Sequence, residues 1–101
     1  MKLLKSFRGV VGLELLIDLG KVATKSDLHE LLKESLHFPE HYGRNLDALF
    51  DLLTEPHEMW DLTFKNTASA KASLGDYFDR FRETVLDAED EIACIKSTWL
   101  D

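Results

Sequence analysis

The sequence predicts a single α/β domain in which a three-stranded parallel sheet packs against about four helices. Short apolar segments with strand character alternate along the chain with segments of helical periodicity. The connections between the predicted strands are long enough for the helical crossovers that parallel neighbours require. The 101 residues, 45% of them hydrophobic and 31% charged, suit one ordinary hydrophobic core.

The first strand and the first helix are predicted between residues 13 and 38. Residues 13–18 are largely apolar, which is typical of a strand buried on both faces. Ser26 is the expected N-cap of the following helix, and Asp27 suits the positive end of its dipole. Leucines follow at helical spacing, and Pro39 is expected to end the helix because the residue before a proline avoids helical backbone angles.

A second, short helix is predicted over about residues 45–54, with Pro56 closing it. Its apolar stripe consists of Leu46, Leu49 and Leu53. Another face of the same helix carries Asp47, Asp51 and Thr54. This helix therefore presents carboxylates one turn apart to the solvent.

The second half of the chain predicts two more strands and two more helices. Residues 59–64 alternate and contain aromatics, which favours a strand, and residues 67–73 favour a short helix that Gly75 breaks. A longer helix is predicted over about residues 76–88, followed by a last strand over residues 92–99. The inward face of the longer helix consists of Phe78, Phe81, Val85 and Ala88. The outward face carries Asp76, Asp79, Glu83, Asp87 and Asp90. Residues 1–12 are expected to be an N-terminal extension, separate from a domain formed by residues 13–101.

The charge balance narrows the range of partners. Nineteen acids against 12 lysines and arginines give a formal net charge of -7. Such a surface repels phosphate groups, so we expect no direct nucleic-acid binding and no membrane association, and a basic partner is favoured. Cys94 is the one cysteine, which excludes an internal disulfide and suits a reducing compartment. Charged residues interrupt every apolar run near the start, so we expect a cytoplasmic protein.

Several kinds of chemistry find no support in the sequence. The four histidines, His29, His37, His41 and His57, do not have the spacing of a zinc site, and His57 is expected in a polar turn. The glycines form no phosphate-binding loop, and no nucleophile elbow is present. We therefore expect neither a metal nor a cofactor.

The carboxylates of the second helix allow three interpretations. Asp47 and Asp51, with His41 near the helix start, could serve as acid and base in a small acidic hydrolase. Catalysis requires enclosure from water, however, and a short exposed helix more often carries a solvated polar face. Aromatic residues flanked by acids are also typical of a surface that binds a basic protein. Acids on two helices, with His41 and Tyr42 in the loop between residues 39 and 45, favour this third interpretation.

The residues that carry these features resemble the barstar family of intracellular ribonuclease inhibitors. The run from Pro39 through Asp51 has the pattern P-x-x-Y-G-x-N-L-D-A-L-x-D, preceded by Ser26-Asp27-Leu28-His29 and followed by Thr54. A second match is Phe81-Arg82-Glu83 in the last helix. The resemblance is continuous from about residue 13 to residue 54 and looser from residue 59 to the last strand.

The resemblance implies a barstar-like fold and stoichiometric inhibition of a small, basic, secreted-type ribonuclease in a one-to-one complex, without enzymatic activity. It implies that the second helix and the loop before it plug the active site of that enzyme. Asp51 would occupy the phosphate subsite as a phosphate mimic, and Asp47, Glu83 and, more weakly, Asp87 would meet basic residues around the rim. The other partner-binding residues implied are His41, Tyr42, Gly43, Asn45, Phe50 and Thr54.

Two positions depart from the family's founding member, which has a tyrosine in place of His41 and a tryptophan in place of Phe50. These changes leave three alternatives open besides inhibition of a ribonuclease. The chain could be an immunity protein against a different basic toxin, a small acidic hydrolase, or a regulatory scaffold that has lost its nuclease-binding role.

Overall fold

The computed structural model describes residues 12–55 and 58–101 and contains a three-stranded parallel sheet with four helices in this part of the chain. The strands are β1 (Gly12–Asp18), β2 (Met59–Lys65) and β3 (Ile95–Trp99), in the order β1-β2-β3. The helices are α1 (Lys25–Leu36), α2 (Leu46–Leu53), α3 (Thr67–Leu74) and α4 (Asp76–Glu91). The predicted α/β architecture is confirmed. The expected N-terminal extension lies outside the described residues except for Gly12, which begins β1. Pro56 and His57 also lie outside the described residues.

Only one face of the sheet is buried by the described part of the chain. Along β2 the side chains of Trp60, Leu62 and Phe64 are buried, whereas the residues between them face outward. In β1 Ile17 is buried, but the neighbouring Leu16 is 64% exposed. The prediction that the first strand is buried on both faces is therefore wrong. An apolar run cannot distinguish one covered face from two, because the covering elements are distant in sequence.

Helix α1 begins two residues earlier than the sequence indicates. Its N-cap is Thr24, whose hydroxyl accepts a hydrogen bond from the Asp27 amide at 3.1 Å, while the Asp27 carboxylate accepts one from the Thr24 amide at 3.2 Å. This reciprocal capping box satisfies two free amides at once, whereas Ser26 lies within the first turn. The helix ends at Leu36, because His37 adopts a left-handed conformation with a φ of 57° before Pro39 is reached.

The core lies between the sheet and the helices, with α2 packed on α4. The prediction for the inward face of α4 is confirmed, since Phe78, Phe81, Val85 and Ala88 are all buried. Phe64 of β2 stacks on Trp99 with ring centroids 4.3 Å apart and meets Phe81 edge-on at 5.6 Å. Each large apolar side chain that is fully buried contributes about 1.5–3 kcal/mol. Within residues 12–55 and 58–101, no helix is both long and apolar enough to cross a lipid bilayer.

Candidate functional site

The segment between α1 and α2, residues 37–45, is called the α1–α2 loop below. Its centre is a turn in which the amide of Tyr42 donates to the carbonyl oxygen of Pro39 at 3.0 Å. The loop is fastened to α1 at its start, where Lys33 donates to the carboxylate of Glu40 at 3.2 Å. Glu40 is almost fully exposed, so this contact is a weak surface ion pair. Further attachments come from Tyr42 and Arg44.

Tyr42 is anchored by the buried imidazole of His29. The Tyr42 hydroxyl lies 2.6 Å from His29 Nδ1, and the hydroxyl of Tyr77 on α4 lies 2.7 Å from His29 Nε2. Burial, followed by the nearby charge of Arg44, lowers the pKa of His29, which favours the neutral ring. Burial also raises the pKa of Tyr42 and of Tyr77, so both hydroxyls keep their protons. These three side chains form one continuous hydrogen-bonded chain from the α1–α2 loop through α1 to α4.

Arg44 attaches the end of the loop to α1. Its backbone is left-handed, with a φ of 52°, a conformation that is uncommon outside glycine. The guanidinium donates to the carbonyl oxygen of Tyr42 at 3.2 Å and binds the carboxylate of Glu30 on α1. The hydrogen bond between Glu30 and Arg44 raises the pKa of Arg44 and lowers that of Glu30. The cation is therefore paired within the protein.

Asn45 and Thr54 hold the two ends of α2. The side-chain oxygen of Asn45 accepts from the Ala48 amide at 2.7 Å, and its amide nitrogen donates to the carbonyl oxygen of Gly43 at 3.2 Å. The Thr54 hydroxyl donates to the carbonyl oxygen of Phe50 at 2.8 Å. An N-cap of this kind contributes about 1 kcal/mol to stability. Both residues therefore have structural roles in addition to any contact with a partner.

The predicted acidic residues face solvent on two packed helices. Asp47 and Asp51 are exposed one turn apart on α2, and Glu83 and Asp87 are exposed one turn apart on α4. Phe50, by contrast, is half-buried and packs against the core. On α2 the acidic side chains point outward because Leu49 and Leu53 are buried on the opposite face of the helix.

A small cavity of about 210 Å³ lies between the α1–α2 loop and α2. Its lining consists of Pro39, His41, Tyr42, Gly43, Ala48, Asp51 and Leu52. Four residues predicted from the sequence, His41, Tyr42, Gly43 and Asp51, thus meet at one place, although they span eleven positions of the chain. The volume is below the roughly 300–1,000 Å³ of typical small-molecule sites. It suits one protruding side chain of a partner better than a metabolite.

Other features of the described chain do not compete with this site. A larger open groove of about 480 Å³ beside α1 is lined by none of the partner-binding residues that the resemblance implies. Residues 12–55 and 58–101 contain no group of three or more His, Cys, Asp or Glu side chains placed to hold a metal ion. Asp47 and Asp51 are exposed rather than enclosed, which is the opposite of what acid–base catalysis requires.

The side chains that hold the loop in place could not be predicted from the sequence as a set. Glu30 and Tyr77 lie within predicted helices and Arg44 lies in the predicted loop, but their contacts join different elements. The position of His29 carries a detectable signal, since it precedes Leu32 by three residues and Leu36 by seven and so shares their inward face. Tyr77 and Arg44 carry no comparable signal.

Comparison with known proteins shows what this chain is similar to. The family described as "Barstar (barnase inhibitor)" matches residues 13–98, most of the chain. A protein of Bacillus subtilis (strain 168) named "Putative ribonuclease inhibitor YrdF" is 42% identical over 66 residues, which cover 64% of this chain and 72% of that protein. The region that the family matches, residues 13–98, includes both acidic helices and the loop that joins α1 to α2.

Proposed function

This chain belongs to the barstar family, and from that premise we propose that it is a stoichiometric inhibitor of a small basic ribonuclease. In this proposal the α1–α2 loop and α2 cover the active site of the enzyme in a one-to-one complex. The observation that carries the proposal is the position of Asp51, which is exposed at the cavity that His41, Tyr42 and Gly43 also line. The name of the Bacillus subtilis relative, a ribonuclease inhibitor, supports the same class of function.

Asp51 acts as a phosphate mimic. A ribonuclease must hold the RNA phosphate with cationic side chains, and a carboxylate placed there forms charge-assisted hydrogen bonds without offering a bond to cleave. These bonds strengthen when water is excluded from the interface. Asp51 is suited to this role because no hydrogen bond or ion pair within the described residues occupies its carboxylate.

The remaining acids steer the partner and form the rim of the interface. Asp47, Glu83 and Asp87 are exposed, and the net charge of -7 adds a long-range attraction for a basic enzyme. The founding complex of this family is itself a reference case for such steering and for binding hot spots. Gly43, Asn45 and Thr54 contribute polar or backbone contacts, and His41 and Phe50 contribute the side chains that distinguish this protein from the family's founding member.

Tyr42 contributes to the complex mainly by supporting the loop from inside the protein. Its side chain is only 3% exposed, so it supports the loop surface while its ring packs on Phe38 with centroids 4.9 Å apart.

We propose that the inhibitor acts in the cytoplasm, where it protects the producing cell, and that residues 13–101 form the functional domain.

The experiment is a titration of the purified protein into barnase, the enzyme named in the family's description, with RNA cleavage as the readout. Inhibition should be complete at one equivalent. Asp51→Ala should weaken binding by about 2–5 kcal/mol, because the cationic groups of the enzyme are then buried without a partner. The control is Glu34→Ala on α1, which removes the same charge from an exposed position outside the proposed interface.

A second candidate keeps this surface and changes the target to a different basic toxin. His41 and Phe50 favour it, because both lie where the family's founding member has other aromatic side chains. If barnase is not inhibited while another basic toxin is, and Asp51→Ala abolishes that effect, the second candidate replaces the first. Hydrolytic activity without a protein partner would contradict both.

A further inference from the structure

We propose that Tyr77 is a positioning residue for the α1–α2 loop and acts on Tyr42 through His29. Tyr77 lies in the first turn of α4, 35 positions after Tyr42 and on a different element. The functional part of this inference rests on the proposed function, because the loop must meet a partner for its position to affect binding.

The geometry supports a continuous mechanical link. His29 is 1% exposed and lies between the two hydroxyls, at 2.6 Å from Tyr42 and 2.7 Å from Tyr77. The ring of Tyr77 is itself held by two cations, with Lys25 Nζ 4.7 Å and the Arg80 guanidinium carbon 5.5 Å from its centroid. The Tyr77 end of the hydrogen-bonded chain is therefore held in place on α4.

The link transmits orientation because a neutral imidazole has one N–H donor and one acceptor nitrogen. When Tyr77 occupies one nitrogen, the ring angle is restricted and the other nitrogen is aimed at Tyr42. Either tautomer allows this, because each hydroxyl can donate or accept. Without the Tyr77 hydroxyl, a buried ring nitrogen loses its partner, and the imidazole can turn to recover one. The bond to Tyr42 weakens as a result.

The expected functional consequence is faster dissociation of the partner. A loop that is held in its binding conformation loses less conformational freedom when the complex forms, which lengthens the lifetime of that complex. The association rate should not change, because it depends mainly on exposed charges such as Asp47 and Asp51, which Tyr77 does not alter.

The test compares Tyr77→Phe with Thr67→Val in the full chain. Both changes delete one hydroxyl and keep the shape of the side chain, but the Thr67 hydroxyl donates to the Asp101 carboxylate at 3.3 Å, away from the loop. Nitrogen-15 spectra of the imidazole report the tautomer of His29, and hydrogen exchange at the Tyr42 amide reports the loop. Tyr77→Phe should shift the His29 signals and speed exchange at Tyr42 about fivefold, the equivalent of one ordinary hydrogen bond, whereas Thr67→Val should change neither.

A second comparison separates the link from general loosening. The Tyr42→Phe variant already lacks the hydrogen bond between the loop and His29. In that background, Tyr77→Phe should cause no further increase in hydrogen exchange of the loop amides. Additive effects in the double variant would overturn the proposal. Unchanged Tyr42 exchange in Tyr77→Phe would overturn it as well.

The binding measurement uses barnase as the probe. Tyr77→Phe should raise the dissociation rate severalfold with an unchanged association rate, and Thr67→Val should match the wild type. Faster loop exchange with an unchanged dissociation rate would overturn the functional part of the proposal. If the wild-type protein does not bind barnase at all, the proposed function fails for this enzyme, and the exchange and imidazole data still decide the positioning role of Tyr77.

Discussion

The side chain of Arg44 is turned back onto α1, where its guanidinium binds the carboxylate of Glu30. Arg44 lies between Gly43 and Asn45, in a loop that we propose meets a basic enzyme. A free cation there would repel the partner. The salt bridge neutralises this cation and, at the same time, fixes a residue with left-handed backbone at the start of α2.

Glu30→Gln should therefore weaken association with a basic ribonuclease. The change removes the negative charge of Glu30 and leaves the Arg44 cation without its carboxylate beside the proposed interface, which makes this surface less attractive to a basic partner. Stopped-flow association at low ionic strength checks this expectation. Glu34→Gln is the matched control, since it makes the same charge change on the same helix one turn further along. Equal rates for both variants would contradict the role assigned to the pair.

Leu49→Ala should destabilise the protein by about 2–5 kcal/mol, because it leaves a cavity where α2 packs on the core. Leu49 is fully buried, whereas Leu16 on the outward face of β1 is 64% exposed. Leu16→Ala deletes the same atoms and should change the free energy of unfolding by no more than about 0.5 kcal/mol. Urea unfolding of both variants measures the difference. A large loss in Leu16→Ala would show that the outward face of the sheet is covered in solution.

His29 should make the protein less stable as the pH falls below about 6.5. Burial lowers the pKa of the folded imidazole from its ordinary value of 6.5, so the unfolded chain binds a proton first. The free energy of unfolding is therefore highest above pH 6.5 and decreases below it, by at most about 1.4 kcal/mol per pH unit. Urea unfolding between about pH 7.5 and 5.5 should show this slope in the wild type and in His41→Gln, which changes an exposed histidine, but not in His29→Gln.

Tyr42 should make the protein less stable as the pH rises above about 10. Burial, with a smaller effect of the adjacent Tyr77, raises the pKa of its hydroxyl above the ordinary value of 10.0. The stabilisation is complete below pH 10 and is lost as the pH rises further, because the unfolded chain gives up this proton first. Alkaline unfolding followed by tyrosinate absorbance should separate the wild type from Tyr42→Phe. Parallel loss of stability in both proteins would contradict the burial of this hydroxyl.

Glu83→Gln should slow association with a basic ribonuclease by about two- to fivefold and leave the dissociation rate nearly unchanged, as is typical of a charge at the rim of an interface. The association rate of the variant should also depend less on salt, because screening acts on the charge that was removed. Association rates at low and high ionic strength, with Glu34→Gln as reference, measure both effects. If the dissociation rate rises instead, Glu83 lies in the buried part of the interface and not at its rim.

Much of the fold follows from local spacing. The leucines at positions 46, 49 and 53 and the flanking Asn45 and Thr54 predict the bounds of α2 within a residue, and the apolar positions of α4 predict its buried face. One error, the start of α1, occurs where two local signals compete. Ser26 and Thr24 are both good caps, and Thr24 is selected because Asp27 lies at the correct distance to complete a capping box.

By itself the sequence determined the α/β order of the elements, the acidic character of the surface and the outward direction of Asp47 and Asp51. Periodicity and net charge are properties of neighbouring residues and need no knowledge of packing. Only the tertiary structure decided that Tyr77, 48 positions from His29, completes the hydrogen-bonded chain to Tyr42 and that Arg44 is paired with Glu30. It also decided that residues 12–55 and 58–101 leave one face of β1 uncovered. These features depend on which element packs against which, and that choice is made by the whole core.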